Sequence, residues 1–144
     1  MAKVIAVCTS KNKGERKQDT GECYIDTGCG LRGDAHADAG SHRQVSLLDM
    51  SSIEKMRSKG IDVGPGDFAE NLTTEGITLA ALPIGSMLGV GAQVILEITQ
   101  IGKECHSGCA IMQQAGTCIM PKEGVFAQVI KGGMVQKDDE IFIR

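Results

Sequence analysis

The run Gly102-Lys-Glu-Cys-His-Ser-Gly-Cys109 gathers the most reactive residue types of the chain into one short stretch. It follows the apolar stretch Val94 to Ile101, which reads as a strand, and leads into Ser107 to Gln114, which reads as a helix closed by Gly116. A cysteine at a strand-to-helix junction lies near unpaired backbone N–H groups and the positive helix end, which stabilise a thiolate. Lys103 and His106 add cationic character. Three uses fit this spacing. Cys105 is a nucleophile, sulfur carrier or metal-cofactor ligand; or Cys105 and Cys109 are half of a zinc site, since Cys-x3-Cys lies within ligand spacing; or both are small buried residues. The zinc reading lacks a second ligand pair nearby, so Cys118 and a histidine would have to be recruited from afar.

Two further segments carry candidate chemistry. Gly30 to Val45 crowds Asp34, His36, Asp38, His42 and Arg43 among glycines and alanines. Arg43 there suits an anion, because a guanidinium pairs bidentately with phosphate. The spacing of His36, Asp38 and His42 matches no strong metal template, and a solvated loop of self-neutralising charge explains the same residues. Gly64-Pro-Gly-Asp-Phe-Ala-Glu-Asn-Leu-Thr-Thr-Glu-Gly76 reads as a turn followed by an extended segment, Asp67 to Thr74. Adjacent side chains on a strand face opposite ways, so one of Glu70 and Asn71 could look into a pocket. The basic stretch with Lys11, Lys13, Arg16 and Lys17 reads as an exposed loop, solvated or meeting a phosphate.

The elements that would position these residues are mostly strands. Lys3 to Thr9, Glu22 to Thr27 and Gln44 to Leu48 are short β-branched or aliphatic runs between polar or glycine-rich turns. One helix is clear: Asp49 or Ser51 caps it, Glu54 falls in its first turn, Ile53 and Met56 share a face, and Lys59 with Gly60 closes it. Gly85 to Leu96 aligns without a gap on Gly132 to Ile143, each with apolar residues on both sides of a polar turn. That pattern predicts two hairpins feeding one curved sheet. The whole reads as a mainly β single domain, residues 1–144, forming a closed or half-closed β-barrel with two or three short helices.

Composition excludes several classes. The chain has 144 residues with a net charge of −3, one Tyr, three Phe and no Trp, so both the positive footprint and the stacking platforms of a nucleic-acid binder are absent. No apolar run approaches the roughly 20 residues that span a bilayer, and the N-terminal stretch has charge after its apolar residues, the reverse of a secretory signal. No phosphate-binding Gly-x4-Gly-Lys-Ser/Thr motif is present. The six cysteines therefore read as reduced thiols of a cytoplasmic protein, with Cys8 a buried small residue in its apolar strand.

In this order, GLRGDAHADAG…RQVSLL, GDFAENLTTEGI and GKECH resemble the MOSC domain, named for the C-terminal domain of molybdenum cofactor sulfurases. Thr117 to Gly133 resembles the small stand-alone bacterial members, and the resemblance covers nearly the whole chain. It implies a pyruvate-kinase barrel-like β-barrel. It implies that Cys105 holds sulfur as a persulfide or, in reductases of N-hydroxylated compounds, ligates molybdenum. It places Asn71 near the cofactor, with Arg43, Lys13, Lys17 and His36 as further cofactor contacts. Molybdopterin is the cofactor so implied. The partners implied are a separate pyridoxal-phosphate-dependent cysteine desulfurase as sulfur donor and a molybdoenzyme or cofactor-synthesis protein as acceptor. A non-catalytic cofactor carrier is a further possibility. The chain departs from the sulfurases proper in lacking room for a fused desulfurase, from the larger reductases in lacking their extra N-terminal barrel, and from many relatives in having Ala69 where they have Gly. Cys109, and less directly Cys118, could resolve a Cys105 persulfide as a disulfide.

Overall fold

The computed structural model describes residues 2–11, 17–35, 37–68, 70–101 and 124–144. Among these the chain forms β1 (Lys3–Thr9), β2 (Gln18–Asp19), β3 (Glu22–Asp26), β4 (Gly30–Leu31), β5 (Val45–Asp49), α1 (Met50–Arg57), β6 (Leu72–Glu75), a 3-10 turn (Leu79–Ala81), β7 (Met87–Val90), β8 (Val94–Ile101), β9 (Val125–Lys131), β10 (Gly133–Gln136) and β11 (Ile141–Ile143). Eight strands make one sheet in the order β11-β7-β8-β9-β5-β6-β1-β2, and β10-β3-β4 make a second. Every pairing is antiparallel except β5 with β6, which are parallel and have α1 between them in sequence. The large sheet curls until its ends nearly meet. Lys3 of β1 bridges Glu140, the Val4 N–H donates to the Asp139 carbonyl at 2.8 Å, and the Ile141 N–H donates to the Ala2 carbonyl at 3.0 Å. The result is a half-open barrel, the architecture expected from the strand-rich sequence.

The barrel interior is aliphatic. Val4, Val7, Val45, Leu47, Leu72, Leu88, Leu96, Ile98, Val125 and Ala127 from the large sheet pack with Ile25, Leu31 and Val135 from the small one. A second cluster lies under the helix, where Ile53 and Met56 meet Leu48, Val63, Phe68 and Phe126. Two of the three phenylalanines thus sit together outside the barrel, beside the middle of the sheet.

The cap of α1 is Asp49, whose carboxylate accepts from the Ser51 N–H at 3.2 Å and from its hydroxyl at 2.8 Å. The helix begins at Met50, so Glu54 lies beyond the first turn rather than in it. Three other expectations are corrected. β7 and β8 form the hairpin expected, but β10 and β11 do not pair with each other. β10 pairs with β3 and β11 with β7, because the turn between them, with Asp138 at φ 76°, sends the two strands into different sheets. The Asp67 to Thr74 stretch is extended only from Leu72, since Gly64 to Phe68 is a turn in which the Asp67 carboxylate accepts from the Gly64 N–H at 2.8 Å. The stretch around Lys17 is not an exposed loop throughout: β2 follows it directly, and Lys17 itself is buried. The helix expected over 107–114 lies outside the described residues.

Gly66 makes that turn possible. Its φ is +87°, and a Cβ built there would run into the Lys17 backbone carbonyl, while its own carbonyl accepts from the Lys17 N–H at 2.8 Å. Gly66→Ala is expected to cost about 2 kcal/mol or more in unfolding free energy. Denaturant titration measures it. A variant as stable as the parent would show that this turn repacks without strain.

Candidate functional site

Asn71 stands just before β6 and is fully buried. Its backbone continues the sheet in both directions, donating to the Ser46 carbonyl at 2.9 Å and accepting from the Cys8 N–H at 2.7 Å. Its side chain ties the same strands again. Oδ1 accepts from the Ser46 N–H at 3.0 Å and from the Ser46 hydroxyl at 3.2 Å, and Nδ2 donates to the Cys8 carbonyl at 3.1 Å. From Ser46 the row runs on through its register partner Phe126 of β9 to Gln100 of β8, which accepts from Arg43 Nε at 2.9 Å. The sheet therefore brings Asn71 and Arg43 to one row, with Ser46 and Phe126 between them.

Below Asn71 lies an enclosed ion pair. Lys17 Nζ is 2.7 Å from Asp34 Oδ1 and 3.1 Å from the Ser10 hydroxyl, and both charged side chains are essentially without solvent contact. Burial is the largest influence on Asp34 and opposes its ionisation. The Lys17 ammonium, the Ser10 N–H at 3.0 Å and the Asn71 amide together outweigh it and hold the carboxyl below its ordinary range. Lys17 is thus spent inside the fold, which corrects its expected place on a solvated cationic loop.

Glu70 is also fully buried. Burial pushes its carboxyl up to about 6, against the Thr73 hydroxyl at 2.7 Å and the backbone N–H groups of Gly66, Glu70 and Phe68, which favour the charged form. Beside it the Cys8 thiol is pushed far up, first by burial and then by the charges of Glu70 and Asp19. Cys8 is therefore no nucleophile, as its apolar strand led one to expect.

Arg43 is the one proposed cofactor contact among the described residues that faces solvent. Its guanidinium lies over the Phe126 ring, 5.5 Å from the centroid, and Gln100 holds Nε. Its Nη groups make no hydrogen bond to any described residue. Cys105, Lys13 and His36, with Lys103, His106, Cys109 and Cys118, lie outside the described residues. The chain that carries Cys105 leaves β8 at Ile101 and returns at Val125, and these two are register partners next to the Phe126–Gln100 step.

Sequence reasoning missed Ser46 and Gln44. Both are buried polar residues, Gln44 just before β5 and Ser46 within it. Gln44 Nε2 donates to the Gly28 carbonyl at 3.0 Å and the Ser41 carbonyl at 2.9 Å, and its Oε1 accepts from the Val129 N–H at 2.9 Å. A polar residue where strand alternation leads inward was the available signal.

A half-open barrel with a buried amide linking three strands beneath a solvent-facing arginine defines the structural class. The profile of the MOSC domain matches residues 34–142, and the chain belongs to that family, which is associated with molybdenum cofactor proteins. Among solved structures, YuaD from Bacillus subtilis is 19% identical with a TM-score of 0.82, over 97% of this chain and 93% of that one. YiiM from Geobacillus stearothermophilus is 15% identical with a TM-score of 0.77, over 100% of this chain and 75% of that one. YiiM from Escherichia coli is 24% identical with a TM-score of 0.64, over 100% and 70%. At these identities the likeness establishes the fold. No curated protein sequence matches the chain.

An anionic pterin cofactor can be tested against the donor set. Arg43 fits it, having surface Nη donors without a partner among the described residues. Asn71 and Lys17 do not fit direct contact, since the Asn71 amide is buried against Ser46, Cys8 and Asp34 and the Lys17 ammonium is enclosed with Asp34. Asn71 instead ties β1 and β5 to the start of β6, and Lys17 pins Asp34 to Ser10.

Two outcomes follow from this network. Asn71→Ala leaves the Ser46 N–H and the Cys8 carbonyl without their side-chain partner in a buried place, at roughly 1–3 kcal/mol per orphaned group. A total loss of about 3 kcal/mol in denaturant unfolding is expected, and a loss below about 1 kcal/mol would contradict the assigned role. Glu70 binds its proton more tightly folded than unfolded, about 6 against 4.5. Its contribution is therefore full below the unfolded value, falls as pH rises through about 6, and is flat above, a change of about 2 kcal/mol. Comparing unfolding free energies of the parent and Glu70→Gln, the parent should be favoured by that much more near pH 4.5 than near pH 7; a pH-independent difference would refute it.

Proposed function

We propose that the protein is a stand-alone MOSC protein of molybdenum cofactor metabolism that carries sulfur on Cys105. The Cys105 thiolate attacks the outer sulfur of a persulfide on a separate cysteine desulfurase. The new S–S bond forms on Cys105, the desulfurase S–S bond breaks, and the electron pair leaves on the desulfurase thiolate. No net oxidant is required, because sulfane sulfur is passed from one thiol to another. The outer sulfur is then available to a molybdenum cofactor or another metal–sulfur centre, whose contribution is a thiophilic metal acceptor.

One observation carries this reading. Ile101, four residues before Cys105, ends the strand that holds Arg43 through Gln100. Ile101 is the register partner of Val125, next to the Gln100–Phe126 step that sets Arg43, so the described strand ends on either side of the Cys105 segment stand beside the solvent-facing guanidinium. Arg43 binds and orients the anionic end of the acceptor, and Asn71, Ser46 and Gln44 keep the strands beneath it in register. Cys8, Cys23 and Cys29 do not compete for the role: Cys8 is enclosed, burial raises the Cys23 thiol, and the family's cysteine motif matches neither Cys23 nor Cys29.

Cys105→Ser removes the only change this mechanism needs, since a hydroxyl has no accessible anion near neutral pH and forms no persulfide. After incubation with a cysteine desulfurase and cysteine, cyanide-releasable sulfur is expected on the parent and at background on the variant, with an unchanged thermal melt. A folded variant that loads sulfur normally would refute the assignment. So would a parent that holds stoichiometric molybdenum and loads no sulfur; that result would make Cys105 a metal ligand.

A further inference from the structure

Successive side chains of a strand face opposite ways, and Val7 and Cys8 of β1 divide accordingly. Val7 packs into the barrel interior, whereas Cys8 is equally buried but stands outside that aliphatic cluster. Leu72 of β6 likewise points into the barrel and Thr73 away from it. The Gly64–Phe68 turn covers the thiol on this outer face: a Cβ on Gly66 would stand 3.3 Å from Cys8 Sγ. The Thr73 hydroxyl donates to Glu70 Oε2 at 2.7 Å, leaving its oxygen to accept from the Cys8 thiol. Thiol, hydroxyl and carboxylate thus form one row beneath the turn.

The turn is rooted at both ends. Val63 and Phe68 sit in the cluster under α1, and Arg57 Nε donates to the Val63 carbonyl at 2.6 Å. Between these ends the Gly66 carbonyl accepts from the Lys17 N–H at 2.8 Å, and the Glu70 carboxylate accepts from the Gly66 N–H and, at 3.3 Å, from the Phe68 N–H. Glu70 is fully buried, and every donor to its carboxylate among the described residues is neutral. An enclosed carboxylate with neutral partners keeps much of its desolvation cost. Lifting the turn is the movement that hydrates it. Burial accordingly pushes this carboxyl up to about 6.

We propose that the Gly64–Phe68 turn is a pH-sensitive cover over Cys8, latched by Glu70. With the carboxyl protonated the turn stays down; with it ionised the turn opens locally more often and uncovers the thiol. The device is independent of sulfur transfer on Cys105. Its sign follows from linkage. Closed, Glu70 titrates at about 6; open to water, it returns to its ordinary 4.5. The opening constant is therefore lowest below the open-state value, rises through this window and levels off above about pH 6. The increase is about 30-fold in all, with about 15-fold of it between pH 4.5 and 7.5. The other charged or titratable groups around the thiol and turn are Cys8 itself, Asp19 of β2, Lys17 with its partner Asp34, and Asp67. Cys8 stays a thiol and Asp34 a carboxylate across the window.

Two readouts on the full chain between pH 4.5 and 7.5 test the latch. One is exchange of the Lys17 amide, whose acceptor is the Gly66 carbonyl, divided by its intrinsic rate. The other is labelling of Cys8 by a pyridyl disulfide, located by mass spectrometry and taken as the ratio of parent to Glu70→Gln at each pH, so that the thiol's own reactivity cancels. Both are expected to rise about 15-fold across the range, and the Lys17 opening constant of Glu70→Gln should be flat. Thr73→Val removes a donor to the ionised carboxylate and should move the rise to higher pH. Asp19→Asn and Asp67→Asn should keep the rise. A pH-independent opening constant in the parent, or a rise that persists in Glu70→Gln, would overturn the proposal. So would Cys8 labelling that low denaturant accelerates as steeply as exchange of the β8 core amides, because the thiol would then be reached through global unfolding.

Discussion

The arrangement turns on one buried amide. Asn71 replaces with its side chain the hydrogen bonds that the sheet loses where β6 begins beside β5, a parallel pair in an otherwise antiparallel sheet. Parallel neighbours require a crossover rather than a tight hairpin, and here α1 and the Gly64–Phe68 turn supply it. The chain therefore re-enters the sheet from a turn, with backbone groups of Ser46 and Cys8 that would otherwise be orphaned. An asparagine satisfies both kinds, since one end of its side chain accepts and the other donates. Valine or leucine would fill the space and leave the groups unmet.

The buried charges are organised around the same point. Lys17 and Asp34 are affordable inside the fold only because they neutralise each other and find the Ser10 and Asn71 groups as further partners. Glu70, the neighbour of Asn71, anchors the turn by gathering backbone N–H groups and the Thr73 hydroxyl. All three of these charged side chains are buried. What they accomplish is rigidity: Ser46 and Phe126 are held in register, and through them Gln100 and Arg43.

The sequence made much of the fold legible. β1 matches its expected span from Lys3 to Thr9, and the β7–β8 hairpin and the Asp49 cap follow from strand alternation and local capping chemistry. These are short-range signals. The β10–β11 segment carries the same apolar–turn–apolar pattern as β7–β8 yet joins two sheets, because pattern fixes which face is buried and not which strand is the partner. The site was legible in residue type and less so in role. Arg43 keeps donors without a partner among the described residues, whereas Lys17 and Asn71 turn inward, and nothing near Lys17 in the sequence announces Asp34, seventeen residues away. The register shift between Ile98 and Gln100 of β8 left no mark, since Thr-Gln at the end of a strand is unremarkable until its register is known.

Site-resolved mass spectrometry of the parent protein, loaded by a cysteine desulfurase and digested without reductant, bears most directly on the account. The peptide spanning Glu104 to Lys122 contains Cys105, Cys109 and Cys118, and fragmentation separates them. One additional sulfur atom on Cys105 is the result the account predicts. Additional sulfur confined to Cys109 or Cys118, or none on this peptide after active loading, would contradict it.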